Sequence, residues 1–248
     1  KAVAKHLGTA HTELYVTPEE AMAVIPRIPT LYDEPIGDSS QIPTFLVSQL
    51  ARRDVTVSLS GDAGDELFAG YNTYFWGLRV WNHIGRIPRP LRALSARGLT
   101  MLSPSSWDSL FRTIEPILPQ RLRKRNLGSK FHAIACLLPA ENAEALYRTI
   151  LTHWEAPTSL VIGGSKPPTP LTDRTQRGNL SGLLQCMMYT DTMMYLPDDI
   201  LAKVDRAGMG VSLETRMPLL DHRVVEFAWQ LPDSMKIRDG RGKWILRQ

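Results

Sequence analysis

The sequence predicts an α/β fold in which helices outweigh a few parallel strands. Three observations carry that reading. The run Asp54-Val55-Thr56-Val57-Ser58-Leu59 is β-branched and apolar, and it leads straight into a turn rich in glycine and acid, Ser60–Glu66, with a helical pattern behind it. Thr17-Pro18-Glu19-Glu20 is a helix start, with a Thr cap, Pro at the first position and acids in the first turn. From Trp76 to about Leu160, prolines separate one helical segment from the next. With 248 residues, 43% of them hydrophobic, the chain can build one large domain or two small ones, and global disorder is excluded.

In chain order, Lys1–Leu7 reads as the end of a helix closed by Gly8, and Thr12–Val16 as a short strand. The helix from Pro18 should stop near Ile25, at Pro26 and Pro29. Tyr32–Thr44 reads as loop, Phe45–Arg53 as helix, Asp54–Leu59 as strand and Leu67–Trp76 as the next helix start. Val161–Asn179, which contains Gly163-Gly164, Pro167-Pro168 and Pro170, reads as a long loop. Leu183–Tyr195 is helical, and Pro197-Asp198-Asp199 should end it and cap a second helix, Ile200–Arg206. Gly208 and Gly210 break that pattern, and Asp221–Gln230 is helical again. The chain opens on Lys1 rather than Met, and Lys243–Gln248 reads as an amphipathic helix cut short, so a piece of a longer protein is expected.

Composition narrows the class. Two cysteines, Cys136 and Cys186, cannot build a disulfide framework or a zinc site, which points to a reducing, cytoplasmic setting. No apolar run approaches the ~20 residues that cross a bilayer, so no membrane partner is expected. The net charge is +4, with arginines clustered in Arg86–Arg97 and Arg121–Arg125. No aromatic residues interleave the basic run, which favours solvated helix faces over nucleic-acid binding. The histidines have no metal-ligand spacing.

The turn after the strand is where chemistry is expected. In open parallel sheets, ligands gather beyond the C-terminal strand ends. Glycines there let the backbone approach a ligand, and backbone N–H groups at a helix start favour phosphate. Yet Asp62, Asp65 and Glu66 would repel phosphate unless a cation such as Mg²⁺ lies between. The competing explanation is that these acids only stabilise a helix dipole. Farther on, Asp191 lies in an apolar stripe with Leu184, Met187, Met188 and Tyr195. A carboxylate there needs a partner, with Lys203, Arg206 and Arg216 as candidates. Asp199 and Lys203 form an i, i+4 pair in the favourable order.

Five segments together carry a family resemblance. They are Leu7–Glu13, Tyr32-Asp33-Glu34-Pro35 with Asp38-Ser39-Ser40, Leu59–Tyr71, Tyr195–Arg206 and Ser212–Asp221. In this order they resemble the synthetase half of glutamine-dependent asparagine synthetases, across nearly the whole chain. The resemblance implies an adenine-nucleotide alpha hydrolase-like fold. It also implies a partial domain over 1–248, with an α/β part holding the ATP and Mg²⁺ loop (1–79) and a mainly helical part (80–248). The implied reaction adenylates the aspartate side-chain carboxylate with MgATP. Ammonia from an N-terminal glutaminase domain, absent here, then gives asparagine and AMP. A related enzyme acting on a uronic-acid sugar or a β-lactam precursor is the alternative, and a homodimer is compatible with either.

By position, the resemblance puts Ser60, Gly61 and Gly64 against ATP. Asp65 would hold Mg²⁺ and pyrophosphate. Asp62, where many relatives have Glu, would contact the acyl-adenylate or handle the proton of ammonia. Ser39, Ser40, Asp199, Lys203, Glu214 and Arg216 would line the substrate site. Ala63 stands where Gly is frequent. A pyrophosphate-binding lysine is expected beyond Gly242–Arg247, and the S-G-G-x-D-S nucleotide loop upstream of Lys1, so the chain alone is expected to be inactive.

Overall fold

In the computed structural model, residues 1–114, 126–152, 154, 157–165, 167–176, 180 and 182–248 are described. They form two compact units, one of Lys1–Gly70 with Asp191–Gln248 and one of Tyr71–Thr190. Most of the regular structure is helical, with one small parallel sheet, as an α/β chain rich in helices requires.

In the first unit, the expected caps form. Helix Ala2–Leu7 ends at Gly8, and Thr17 and Glu20 build a reciprocal capping box on Pro18–Val24. The helix ends at Val24, next to the expected Ile25, and Pro26 and Pro29 both lie beyond it. Each sits in the first turn of a new element, Ile25–Arg27 and Ile28–Leu31, where a missing N–H costs nothing. The expected strand Thr12–Val16 does not form. A strand needs a partner, and the one described sheet pairs two other segments; here Glu13 instead accepts from Lys1, Tyr15 and His11. Helix Gln41–Ala51 starts before the expected Phe45, because Pro43 tolerates a first turn. Phe45 packs with Val24 and Ala207 in the core, ringed by Ile28, Leu31, Ile42, Leu46 and Val211.

The predicted strand survives only as β1, Val57–Leu59, because the N–H groups of Asp54 and Val55 are spent on the Ala51 carbonyl. β1 runs parallel to β2, Glu214–Arg216, pairing Val57 with Glu214, Ser58 with Thr215 and Leu59 with Arg216. This pairing returns the C-terminal segment to the first unit. The helix expected from Leu67 is split into Gly64–Phe68 and, in the second unit, Asn72–Ile84.

Pro197 does not end a helix. Asp191–Leu201 is a π-helix that passes through it, and Ala202–Met209 follows, containing Gly208 and closing at Gly210. The wide i→i+5 turn relieves the clash a proline ring makes in an α-helix. The expected helix over Asp221–Gln230 forms as His222–Gln230, with Asp221 as its cap. The terminal Lys243–Gln248 segment forms only a 3₁₀ turn, Ile245–Arg247, rather than the expected helix.

The second unit contains helices Asn72–Ile84, Arg89–Thr100, Pro104–Ile114, Leu127–Leu137, Ala143–Leu151 and Leu183–Thr190. Ala96, Ala135 and Leu138 form one core cluster, and Leu137, Ala140 and Leu146 another. Met187 and Met188 are fully buried, as core filler should be. Within the first arginine cluster, Arg92 is buried and donates to the carbonyls of Leu138 and Ala140, so it is a structural residue rather than a solvated one. Arg121–Arg125 lie outside the described residues. The described part of the Val161–Asn179 loop carries only the short 3₁₀ turn Arg174–Gln176. No helix among the described residues is long and apolar enough to cross a membrane.

Candidate active site

The site grows from the end of β1. Ser60 N–H donates to the Arg216 carbonyl at 2.8 Å, which extends the ladder one step and ties the loop to β2. Ser60 Oγ then donates to Asp62 Oδ2 at 2.6 Å. Ala63 has φ +71° and is 1% exposed. A side chain pays for that left-handed backbone where a glycine would not, and burial in the packed loop maintains it. Gly64 opens the five-residue helix Gly64–Phe68, with Asp65 and Glu66 in its first turn.

The two first-turn acids have different environments. Glu66 is 1% exposed, so it is no solvated dipole partner. Its charge helps raise the Tyr195 hydroxyl above its ordinary value, after burial and the charges of Asp199 and Asp38. Asp65 is partly open and pairs with Lys243 Nζ at 2.9 Å. Lys243 arrives with φ +53°, and its N–H donates to the Phe68 carbonyl at 2.9 Å. The resemblance points to a lysine past Gly242–Arg247; the lysine that meets Asp65 lies inside that segment.

A second cluster holds the expected substrate-lining residues Ser39, Ser40, Asp199 and Lys203. Asp38 accepts from Ser40 N–H at 2.8 Å, from Ser40 Oγ at 2.6 Å and from Lys203 Nζ. Ser39 shares that turn and accepts Ile42 N–H. Lys203 also faces Asp199 at 3.6 Å, completing the i, i+4 pair. Burial works to raise the Asp38 carboxyl, but the Lys203 ammonium and the Ser40 donors outweigh it and hold it at about 2. Asp199 moves the other way: burial raises it, Lys203 opposes and Asp38 adds repulsion.

A pH dependence follows from Asp38. Its folded carboxyl lies below the unfolded value, so the stabilisation is complete above about pH 4 and disappears as pH falls through about 2. Together the Lys203 ion pair and the Ser40 donors, net of burial, correspond to roughly 2 kcal/mol. Urea melts of the wild type and Asp38→Asn should therefore differ by about that much at pH 5 and converge towards pH 2. A gap that stays constant with pH would refute the assignment.

The structure does not unite the remaining predicted residues. Glu214 and Arg216 pair with each other at 2.7 Å on β2, both well exposed, and it is the Arg216 backbone rather than its side chain that meets the loop. Asp191 is buried, as expected. Its three proposed cationic partners are engaged with other acids: Lys203 with Asp38 and Asp199, Arg206 with Asp33, and Arg216 with Glu214. Among the described residues, no cluster of three or more His, Cys, Asp or Glu could hold a metal ion. The partly open carboxylate of Asp65 fits a Mg²⁺ that takes most of its ligands from phosphate and water, and the site does not fit an all-protein cage.

The asparagine synthase family model matches residues 1–248. Asparagine synthetase [glutamine-hydrolyzing] 1 of Bacillus subtilis is 29% identical over 252 residues, covering all of this chain and 36% of the relative. A putative asparagine synthetase [glutamine-hydrolyzing] of Mycobacterium tuberculosis H37Rv is 31% identical over 253 residues, covering all of this chain and 35% of the relative. Over 97 residues, 39% of this chain and 19% of the relative, identity reaches 40% with putative asparagine synthetase [glutamine-hydrolyzing] 2 of Methanocaldococcus jannaschii. The chain thus spans about a third of the length of these curated relatives. No solved structure matches it. The match over the full chain, on top of the loop and its acids, places this protein in the asparagine synthase family.

Proposed function

We propose that the chain is the synthetase part of an ATP-dependent, glutamine-hydrolysing asparagine synthetase, with an adenine-nucleotide alpha hydrolase-like fold. A carboxylate oxygen of aspartate attacks the α-phosphorus of ATP, giving β-aspartyl-AMP and pyrophosphate. Ammonia then attacks the acyl carbon, AMP leaves, and one proton is released. Mg²⁺, when bound, neutralises phosphate charge. The observation that carries the reading is the Asp65–Lys243 pair at the mouth of β1. Lys243 supplies positive charge where a leaving pyrophosphate needs it, and Asp65 orients that ammonium. Ser60 and Gly61 present the loop backbone to the nucleotide. Asp62, held by Ser60, faces the acyl-adenylate or takes the ammonia proton. Asp38 and Lys203 fix the Ser39-Ser40 turn as part of the substrate wall.

The test is product analysis with the full-length protein. Aspartate should support ATP–pyrophosphate exchange, and with glutamine it should give AMP and asparagine in equal amounts. AMP formation with a uronic-acid sugar or a β-lactam precursor, and none with aspartate, would replace this reading with the alternative.

A further inference from the structure

Lys243 meets Asp65 from a segment with little regular structure, so its placement needs a cause. The segment is a closed hairpin. Arg238 and Arg241 exchange backbone hydrogen bonds at 3.1 and 2.9 Å across Asp239 and Gly240, whose φ angles are +53° and +70°. Two successive positive φ values make the primed turn whose twist suits a two-residue hairpin. One step outward, Trp244 N–H donates to the Lys236 carbonyl at 3.0 Å. Lys236 itself is anchored, 1% exposed, with Nζ 5.2 Å from the Trp229 ring centroid.

Within this hairpin, Lys243 has a left-handed backbone that a lysine adopts only when its neighbours impose it. The neighbour on one side is Trp244, and the Arg238 guanidinium lies 4.0 Å from the Trp244 ring centroid. A planar guanidinium stacks on an indole face in a way an ammonium does not. This contact ties the first arm of the hairpin to the residue following Lys243. We infer that Arg238 is a positioning residue: by stacking on Trp244 it holds the strained Lys243 backbone in place and so fixes the ammonium on Asp65. The inference rests on the leaving-group role proposed above for Lys243.

The experiment uses the full-length protein and aspartate-dependent ATP–pyrophosphate exchange. Arg238→Ala should raise the KM for pyrophosphate about fivefold and leave the KM for aspartate within about twofold. Arg238→Lys, which keeps the charge and loses the plane, should fall between the two. Arg241→Ala removes a positive charge from the same hairpin without touching Trp244, and should match the wild type. In a Lys243→Ala background, Arg238→Ala should add nothing, because its target is gone. An unchanged pyrophosphate KM in Arg238→Ala, equal rises for both substrates, or the same loss with and without Lys243 would each overturn the positioning role alone. Full exchange by Lys243→Ala would overturn the leaving-group role of Lys243, and the positioning role with it.

Discussion

Asp65→Asn in the full-length protein should lower aspartate-dependent ATP–pyrophosphate exchange by about 10²–10³-fold, the scale on which removal of one preorganised electrostatic partner acts. Asn keeps the size and shape of Asp, so packing around Gly64–Phe68 is unchanged. What disappears is the charge 2.9 Å from Lys243. The ammonium loses the partner that orients it, and a bound cation would lose a partly open carboxylate. Because Asp65 and Lys243 are both partly exposed, breaking the pair should cost less than about 1 kcal/mol of stability. Glutamine hydrolysis, which the proposed function assigns to residues outside this chain, should persist. Parallel loss of both activities would contradict this division of labour, and unchanged exchange would remove Asp65 from the site.

Features set by a few adjacent residues were legible in the sequence. The Thr17 cap and the Ser60–Glu66 loop depend on residues that reach neighbours only two or three positions away. Asp199 and Lys203 were legible as a helical pair for the same reason. The partner that matters more to Lys203, Asp38, lies far away in the sequence, and no local rule connects them. Lys243 was missed on similar grounds. It comes within reach of Asp65 only once the C-terminal segment has returned beside β1 and its N–H has docked on Phe68. Errors arose where a local propensity had no tertiary support or met a competing backbone geometry. Thr12–Val16 reads as a strand but pairs with none among the described residues, and Pro197 reads as a stop until a wider helix accommodates it. The unit boundaries were hidden because β1 and β2 come from opposite ends of the chain.

Gly70→Ala should separate the placement of the Asp65–Lys243 pair from its charge. Gly70 N–H donates to the Asp65 carbonyl at 2.9 Å, directly after Ala69 turns the chain with φ +55°. The backbone of Gly70 itself is not left-handed, so alanine meets no conformational penalty there. The obstacle is space. An added Cβ would lie 1.8 Å from Asp65 Oδ1, 2.7 Å from its Cγ and 2.4 Å from Lys243 Cε. These atoms lie toward the ends of flexible side chains, so the fold can yield at a cost of roughly 1 kcal/mol, the low end of the range for overpacking a core. Yielding, however, means that the carboxylate and the ammonium both move. Displacement of reacting groups by about 1 Å can cost on the order of 10²-fold in rate. The variant should therefore melt within a few degrees of the wild type while losing about 10²-fold in pyrophosphate exchange, with both charges still present. Comparison with Asp65→Asn is decisive: similar losses in the two variants mean that the geometry of the pair matters as much as its charge. Wild-type exchange in Gly70→Ala would mean that the ammonium acts from anywhere nearby, and the close approach at Gly70 would then be a matter of packing alone.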